Sequence, residues 1–323
     1  MAPHPAEIVA DKDLPAAALA SGLLATLLLL APSGALAGQA RGREKVEAPA
    51  GGAPGSYVES ISVALVLVPV VVRDSTGHPV TDLSREDFTI LDEGEPVPLE
   101  AFGLEARPVS VVLALDLSPS MRPHEYPAKG AALEFIRGQR EGTAFSLVVF
   151  NEGVYLDLDF TVSGREMEAA VAAARLGGDR TALFDAVEAS ARHLARRDGA
   201  RIVVLFTDGT DTIYELDEAG KKLIDAIEAA LTRDVSVYTV AFGPRAARGI
   251  LRRVADETGG EALVADTPAD LAGAFAHVAE SVGNRYLLAF RLPAVKEPGF
   301  RSIEVRLSRP DLHVVSRTRY FAR

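Results

Sequence analysis

From Val109 to Val282 the chain alternates short strand patterns with amphipathic helical ones, and this alternation leaves few architectures open. Val109–Leu115, Phe145–Phe150, Arg201–Phe206 and Val235–Ala241 are apolar on both faces, as strands covered by helices on either side should be. Between them apolar residues recur at helical spacing: Ala128, Ala131, Ala132, Phe135 and Ile136; then Leu183, Val187, Ala191 and Leu194; then Leu216, Ala219, Leu223, Ile227 and Leu231. Val154–Phe160 follows Phe150 after three residues, too few for a crossover, so it should pair antiparallel at the sheet edge. A last helix is expected over 270–282. The pattern predicts an α/β fold with a doubly wound, mostly parallel, Rossmann-like sheet.

On both sides of this segment the pattern is strand without helix. In 57–105, Val63–Val68 and Val70–Val72 are densely β-branched, and Thr89–Leu91 and Val97–Leu99 flank the turn residues Asp92–Glu95. Pro69 interrupts the donor ladder, which predicts an edge or bulged position. Ser84 and Asp87 have capping-box spacing and predict one helical turn. In 285–323, Tyr286–Phe290, Phe300–Leu307 and His313–Tyr320 read as strands. Three strands alone are a marginal unit, so 57–105 and 285–323 are expected to fold together as one antiparallel β domain, with the α/β domain inserted between them. Two separate small β extensions leaning on the α/β core are the other arrangement this pattern allows.

The first residues differ again. Ala16–Ala31 is an almost unbroken apolar run followed by Ala35-Leu36-Ala37, which predicts a signal peptide over 1–37 and a secreted or periplasmic location. Glu7, Asp11 and Asp13 against Lys12 depart from the usual basic start; a buried helix and an uncleaved anchor are the competing readings. Residues 38–56 read as a flexible linker. The chain has no cysteine, which excludes disulfide scaffolds, zinc ribbons and thiol nucleophiles. With 34 Lys+Arg against 45 Asp+Glu its net charge is −11, so nucleic acid is not the expected partner.

Open α/β sheets place their chemistry outside the carboxyl ends of the strands. After Leu115 comes Asp116-Leu117-Ser118-Pro119-Ser120; after Phe206 comes Thr207-Asp208-Gly209-Thr210-Asp211; before Leu183 a glycine-rich loop ends in Thr181. Oxygen ligands without nitrogen or sulfur suit a hard divalent cation, Mg²⁺ first and Mn²⁺ or Ca²⁺ next.

These residues resemble the metal-ion-dependent adhesion site (MIDAS) of von Willebrand factor type A (VWA) domains: Asp116-x-Ser118-x-Ser120, a distant Thr181, and Asp208 in Thr-Asp-Gly. The resemblance covers about 107–283. The flanks, Val72–Leu83 and Glu86–Gly94 with Ile303–Pro310, are similar to a secreted bacterial VWA-related subfamily. The resemblance implies metal ligands at Asp116, Ser118, Ser120, Thr181 and Asp208. Ser118 and Ser120 would bind directly, and the others directly or through water. A protein partner would supply Asp or Glu to the remaining position. Pro119 departs from the small residue more usual there and lacks an amide hydrogen. Asp185 and Asp211 are read as second neighbours or as capping residues.

Enzyme signatures are missing. The six histidines are scattered, and no Gly-x-Ser-x-Gly, P-loop, Ser-x-x-Lys or Gly-x-Gly-x-x-Gly occurs. Neither serine has an evident base, and Arg180 is the one cation noted near these loops. The expectation is a non-enzymatic adhesion module, with a Mg²⁺-dependent hydrolase or a structural envelope component as alternatives. The arginines of the tail, Arg301 to Arg323, read as a solvated sheet face.

Overall fold

The computed structural model describes residues 6–7, 65–292 and 297–323. Apart from 6–7, the predicted signal peptide, the linker and 57–64 lie outside the described residues. The N-terminal part contributes β1 (Ala6–Glu7), β2 (Leu65–Arg73), β3 (Phe88–Asp92), β4 (Glu95–Val97) and β5 (Leu99–Leu104). The middle runs β6 (Val109–Asp116), α1 (Glu125–Arg137), β7 (Ala144–Phe150), β8 (Val154–Thr161), α2 (Gly164–Ala173), α3 (Leu183–Leu194), β9 (Ala200–Thr207), α4 (Leu216–Leu231), β10 (Val235–Phe242), α5 (Arg248–Thr258), β11 (Ala262–Ala265) and α6 (Pro268–Gly283). The C-terminal part gives β12 (Tyr286–Arg291), β13 (Gly299–Leu307), β14 (His313–Ser316) and β15 (Arg319–Ala322).

The α/β sheet has the order β1-β8-β7-β6-β9-β10-β11. Strands β6, β7, β9, β10 and β11 are parallel, and β8 pairs antiparallel with β7, as its short connection requires. Alternate residues of β6 face opposite ways, which explains its continuous apolar run. Val111, Leu113 and Leu115 pack with Phe135, Met167 and Phe275 of α1, α2 and α6; Val112 and Ala114 pack with Val187, Ile227 and Leu251 of α3, α4 and α5. From β6 the chain winds outward to β7 and β8, then returns to β9 on the other side. The carboxyl ends of β6 and β9 are therefore the point where the winding direction switches, and a crevice opens there.

The flanks form two four-stranded antiparallel sheets, β14-β2-β12-β5 and β15-β13-β3-β4. Each contains strands from both ends of the chain, and they share one core of Val68, Val70, Phe88, Ile90, Leu288 and Ile303. The β3–β4 hairpin turns through Glu93 and Gly94, both at positive φ (52° and 86°), the backbone that a tight two-residue turn demands. The capping box at Ser84 is present and starts one 3₁₀ turn.

Several expectations need correction. β2 is not an edge strand and carries no bulge: it pairs with β12 on one side and β14 on the other. Pro69 is tolerated because β14 stops at Val70, so Pro69 is the first residue beyond that neighbour and owes it no donor. His313–Tyr320 is not one strand but two, in different sheets. The break falls at Arg317, whose buried guanidinium donates to Asp234 at 2.9 Å. Nor is the arginine-rich tail a simple solvated face: Arg301 pairs bidentately with the buried Asp92 at 2.8 and 3.1 Å, and Arg319 reaches Glu257 on α5. Two helices and two strands were not foreseen, one of the strands being the two-residue β1, which pairs antiparallel with β8. α2 buries Met167 and Val171 alone, α5 buries four residues among five charged ones, and β11 has four residues.

Candidate metal centre

Asp116 ends β6 wholly buried, and its Oδ1 accepts the Ser118 amide at 2.9 Å. That two-residue turn continues the strand's alternation one step past its end. Leu117 points into the core, 3% exposed, while Asp116, Ser118 and Ser120 share the other side. The Leu117 amide donates to the Phe150 carbonyl at 2.8 Å and its carbonyl accepts from Gly177 at 3.0 Å, so the loop is fastened to both of its neighbours. Pro119 opens a 3₁₀ turn, Pro119–His124. A proline at the first position of a turn gives up only a donor that has no partner within the turn, which accounts for the departure from the family pattern.

The second loop meets the first through hydroxyls. Thr207, the last residue of β9, donates Oγ1 to Asp116 Oδ2 at 2.5 Å and accepts from the Gly209 amide at 3.0 Å. Ser120 Oγ donates to Asp208 Oδ1 at 2.6 Å and lies 3.0 Å from Ser118 Oγ. Asp116, Ser118, Ser120 and Asp208 are thus brought together in one connected oxygen cluster. Thr181 is anchored differently. Its amide donates to Thr212 Oγ1 at 2.8 Å and its carbonyl accepts the Thr212 amide at 2.9 Å; its side chain, 5% exposed, takes no part in the cluster's hydrogen bonds. Asp211 proves to be a cap: its carboxylate accepts the amides of Phe184, Ile213 and Tyr214, tying the start of α3 to the β9 loop. The Tyr214 hydroxyl donates its single proton to the Asp185 carboxylate, whose two oxygens lie 2.8 and 2.9 Å away.

Burial raises the Asp116 carboxyl above the ordinary carboxylate range; hydrogen bonds from Thr207 and Ser118 oppose that shift and the charge on Asp208 adds to it. Among the described residues Asp116 has no cationic partner. Asp208 has one, Arg245, whose Nη2 lies 3.4 Å from Oδ2 with its side chain 69% exposed. Sequence reasoning missed Arg245 and Thr207. Arg245 follows β10, another strand opening on the same rim, so reading the residues after that strand as well would have found it. It also missed that Ser120 has a carboxylate beside it.

A buried carboxylate without a counter-charge, next to a second carboxylate and clustered hydroxyls, is a donor set suited to a hard cation and poorly stable without one. Among the described residues no group of three or more His, Cys, Asp or Glu could hold an ion, so a metal here would rest on two carboxylates helped by hydroxyls.

The family model of the von Willebrand factor type A domain matches residues 110–276. No curated protein matches the chain in sequence. Among solved structures, a von Willebrand factor type A protein from Catenulispora acidiphila is 15% identical, with a TM-score of 0.50 over 82% of this chain and 76% of that one. BatB, a conserved hypothetical protein from Bacteroides thetaiotaomicron, is 16% identical over 54% of this chain and 98% of its own, with a TM-score of 0.46. Proximal thread matrix protein 1 from the mussel byssus, solved with a zinc occupied MIDAS motif, is 15% identical over 59% of this chain and 49% of its own, with a TM-score of 0.48. With the family model spanning more than half of its length, the chain belongs to the von Willebrand factor type A domain family.

Proposed function

We propose that this is an exported, non-enzymatic adhesion protein whose VWA site engages an acidic side chain of a protein partner through a divalent cation, Mg²⁺ in the first place. VWA domains are in general interaction modules, and they commonly bind a divalent metal at this kind of site. The observation that carries the reading is Asp116: a fully buried carboxylate with no cationic partner among the described residues, fixed by Thr207 and Ser118 at the mouth of the sheet.

Asp116, Ser118, Ser120, Thr181 and Asp208 would hold the ion. When bound, the cation supplies a Lewis-acidic position that a partner's Asp or Glu can complete. Thr207 orients Asp116, and the Asp211 cap keeps the start of α3, with Thr181 just before it, against the β9 loop. Around this rim Tyr126 at the start of α1 and Leu216 at the start of α4 are 86% and 96% exposed, apolar surface that a docking protein would cover. Export rests on the apolar run before Ala37.

The test is retention of envelope proteins by the immobilised chain. Retention in Mg²⁺ that is lost in EDTA and in a folded Asp116→Ala variant supports the proposal; retention that ignores both removes the ion from the mechanism. The Ser120–Asp208 hydrogen bond and Arg245 favour one second reading, a Mg²⁺-dependent hydrolase. Turnover of a generic phosphoester that disappears in Asp208→Ala would support it, and no turnover retires it.

A further inference from the structure

At the opposite end of the parallel strands lies a cavity of ≈ 210 Å³ where the α/β sheet meets the flanking sheets. It is lined at the starts of β9 and β10 by Arg201 and Ser236, and also by Arg107, Arg285, Arg317 and Asp234. Asp116 sits at the far end of β6, seven residues along, so the two sites are about 20 Å apart at the usual strand rise of ~3.3 Å per residue. The cavity is not part of the candidate metal centre.

The charges around it do not balance. Arg285 and Arg317 are each 2% exposed, and the Nε–H of each is buried without a hydrogen-bond acceptor among the described residues. The nearest carboxylate to Arg285 is Glu105, 3.7 Å from its Nη2, and Glu105 is already held bidentately by Arg107 at 2.6 and 2.8 Å. Asp234 takes one nitrogen of Arg317 at 2.9 Å. Arg201 is fixed by the carbonyls of Arg197 and Arg233 at 2.7 and 2.8 Å. Four guanidiniums therefore share two carboxylates. Burying a cation without a counter-charge, or an N–H without an acceptor, is costly, and this place does both beside a space several times the ~30 Å³ share of one water.

We propose that this cavity is a binding site for a small multivalent oxyanion of the phosphate or sulfate class, which neutralises the excess positive charge of the guanidiniums that line it. Guanidinium forks match tetrahedral oxyanions in shape as well as charge. The anion would brace the seam between the two parts of the chain, because Arg285 and Arg317 come from the C-terminal flank while Arg201 belongs to the α/β sheet.

The experiment uses the full chain in EDTA, so that no ion at the Asp116 site can attract the anion. Inorganic phosphate, sulfate and acetate are titrated separately at matched ionic strength in chloride, followed by calorimetry and thermal unfolding. Saturable one-to-one binding of phosphate or sulfate, with Tm rising as the anion is added and acetate at least tenfold weaker, supports the site; the stronger of the two tetrahedral anions names the ligand. Arg317→Met should weaken that binding tenfold or more. Because an arginine variant can fail to fold, Ser236→Asp gives a second reading: a carboxylate placed on the cavity wall should raise Tm in plain chloride and abolish the phosphate or sulfate response. No response to either anion beyond the chloride control overturns the proposal, as does an undiminished response in Ser236→Asp.

Discussion

Glu261→Gln tests what joins the N-terminal flank to the α/β domain. Glu261 lies just before β11 and accepts Arg73 of β2 through Nε and Nη2 at 3.1 and 3.2 Å, His277 of α6 at 2.8 Å, and the Ser281 hydroxyl. Arg73 is 4% exposed. Burial alone would raise the Glu261 carboxyl, but the hydrogen bonds from His277, Arg73 and Ser281 outweigh it and hold the group at about 2, against an ordinary 4.5. At about 1.4 kcal/mol per unit that shift corresponds to roughly 3 kcal/mol of stability, which agrees with the ~3–5 kcal/mol typical of removing one member of a buried ion pair. Because the folded value is the lower one, this stabilisation is complete above pH 4.5 and disappears as pH falls toward 2. Urea unfolding followed by circular dichroism should show a loss of about 3 kcal/mol at pH 7 in Glu261→Gln. The loss should shrink as pH drops through that window, because the variant has no carboxylate left to protonate. Adding Arg73→Met to the variant should recover part of the loss, since no buried guanidinium is then left unpaired. A cost below about 1 kcal/mol at neutral pH, or the same acid-side decline in both proteins, would refute the reasoning.

Two further outcomes follow from particular contacts. Gly259 caps α5 at φ +80°, and a β-carbon there would stand 2.7 Å from the Arg317 amide nitrogen; Gly259→Ala should cost about 2 kcal/mol or more in thermal or urea unfolding. Arg245→Ala removes the exposed guanidinium beside Asp208. It should tighten divalent-ion binding by roughly two- to fivefold at low salt, as expected of an exposed charge pair, and the difference should fade as salt is raised in calorimetric titrations.

The α/β core was legible because β6, β7, β9 and β10 are covered on both faces, and that demands runs such as Val109–Leu115 that few other structures need. Asp116, Ser118, Ser120 and Asp208 were legible for a related reason: residues just past a covered strand must end on the rim. What failed depended on partners far away in sequence. The alternation in His313–Tyr320 describes a strand but not which sheet it joins, and the buried Arg317 that splits it is explained by Asp234, 83 positions away. α5 escaped notice because Leu251, Val254, Ala255 and Thr258 suffice to bury one face of a short helix whose other residues are largely charged. Arg245 carried no local pattern; its meaning comes from the strand that precedes it.

The most direct test of the account is titration of the purified chain with Mg²⁺ by calorimetry, and with Mn²⁺ by electron paramagnetic resonance, on wild type, Asp116→Ala and Thr181→Val. One ion per chain in the wild type, none in a folded Asp116→Ala and weaker binding in Thr181→Val is the predicted result. No uptake by the wild type, or uptake unchanged by Asp116→Ala, would contradict it.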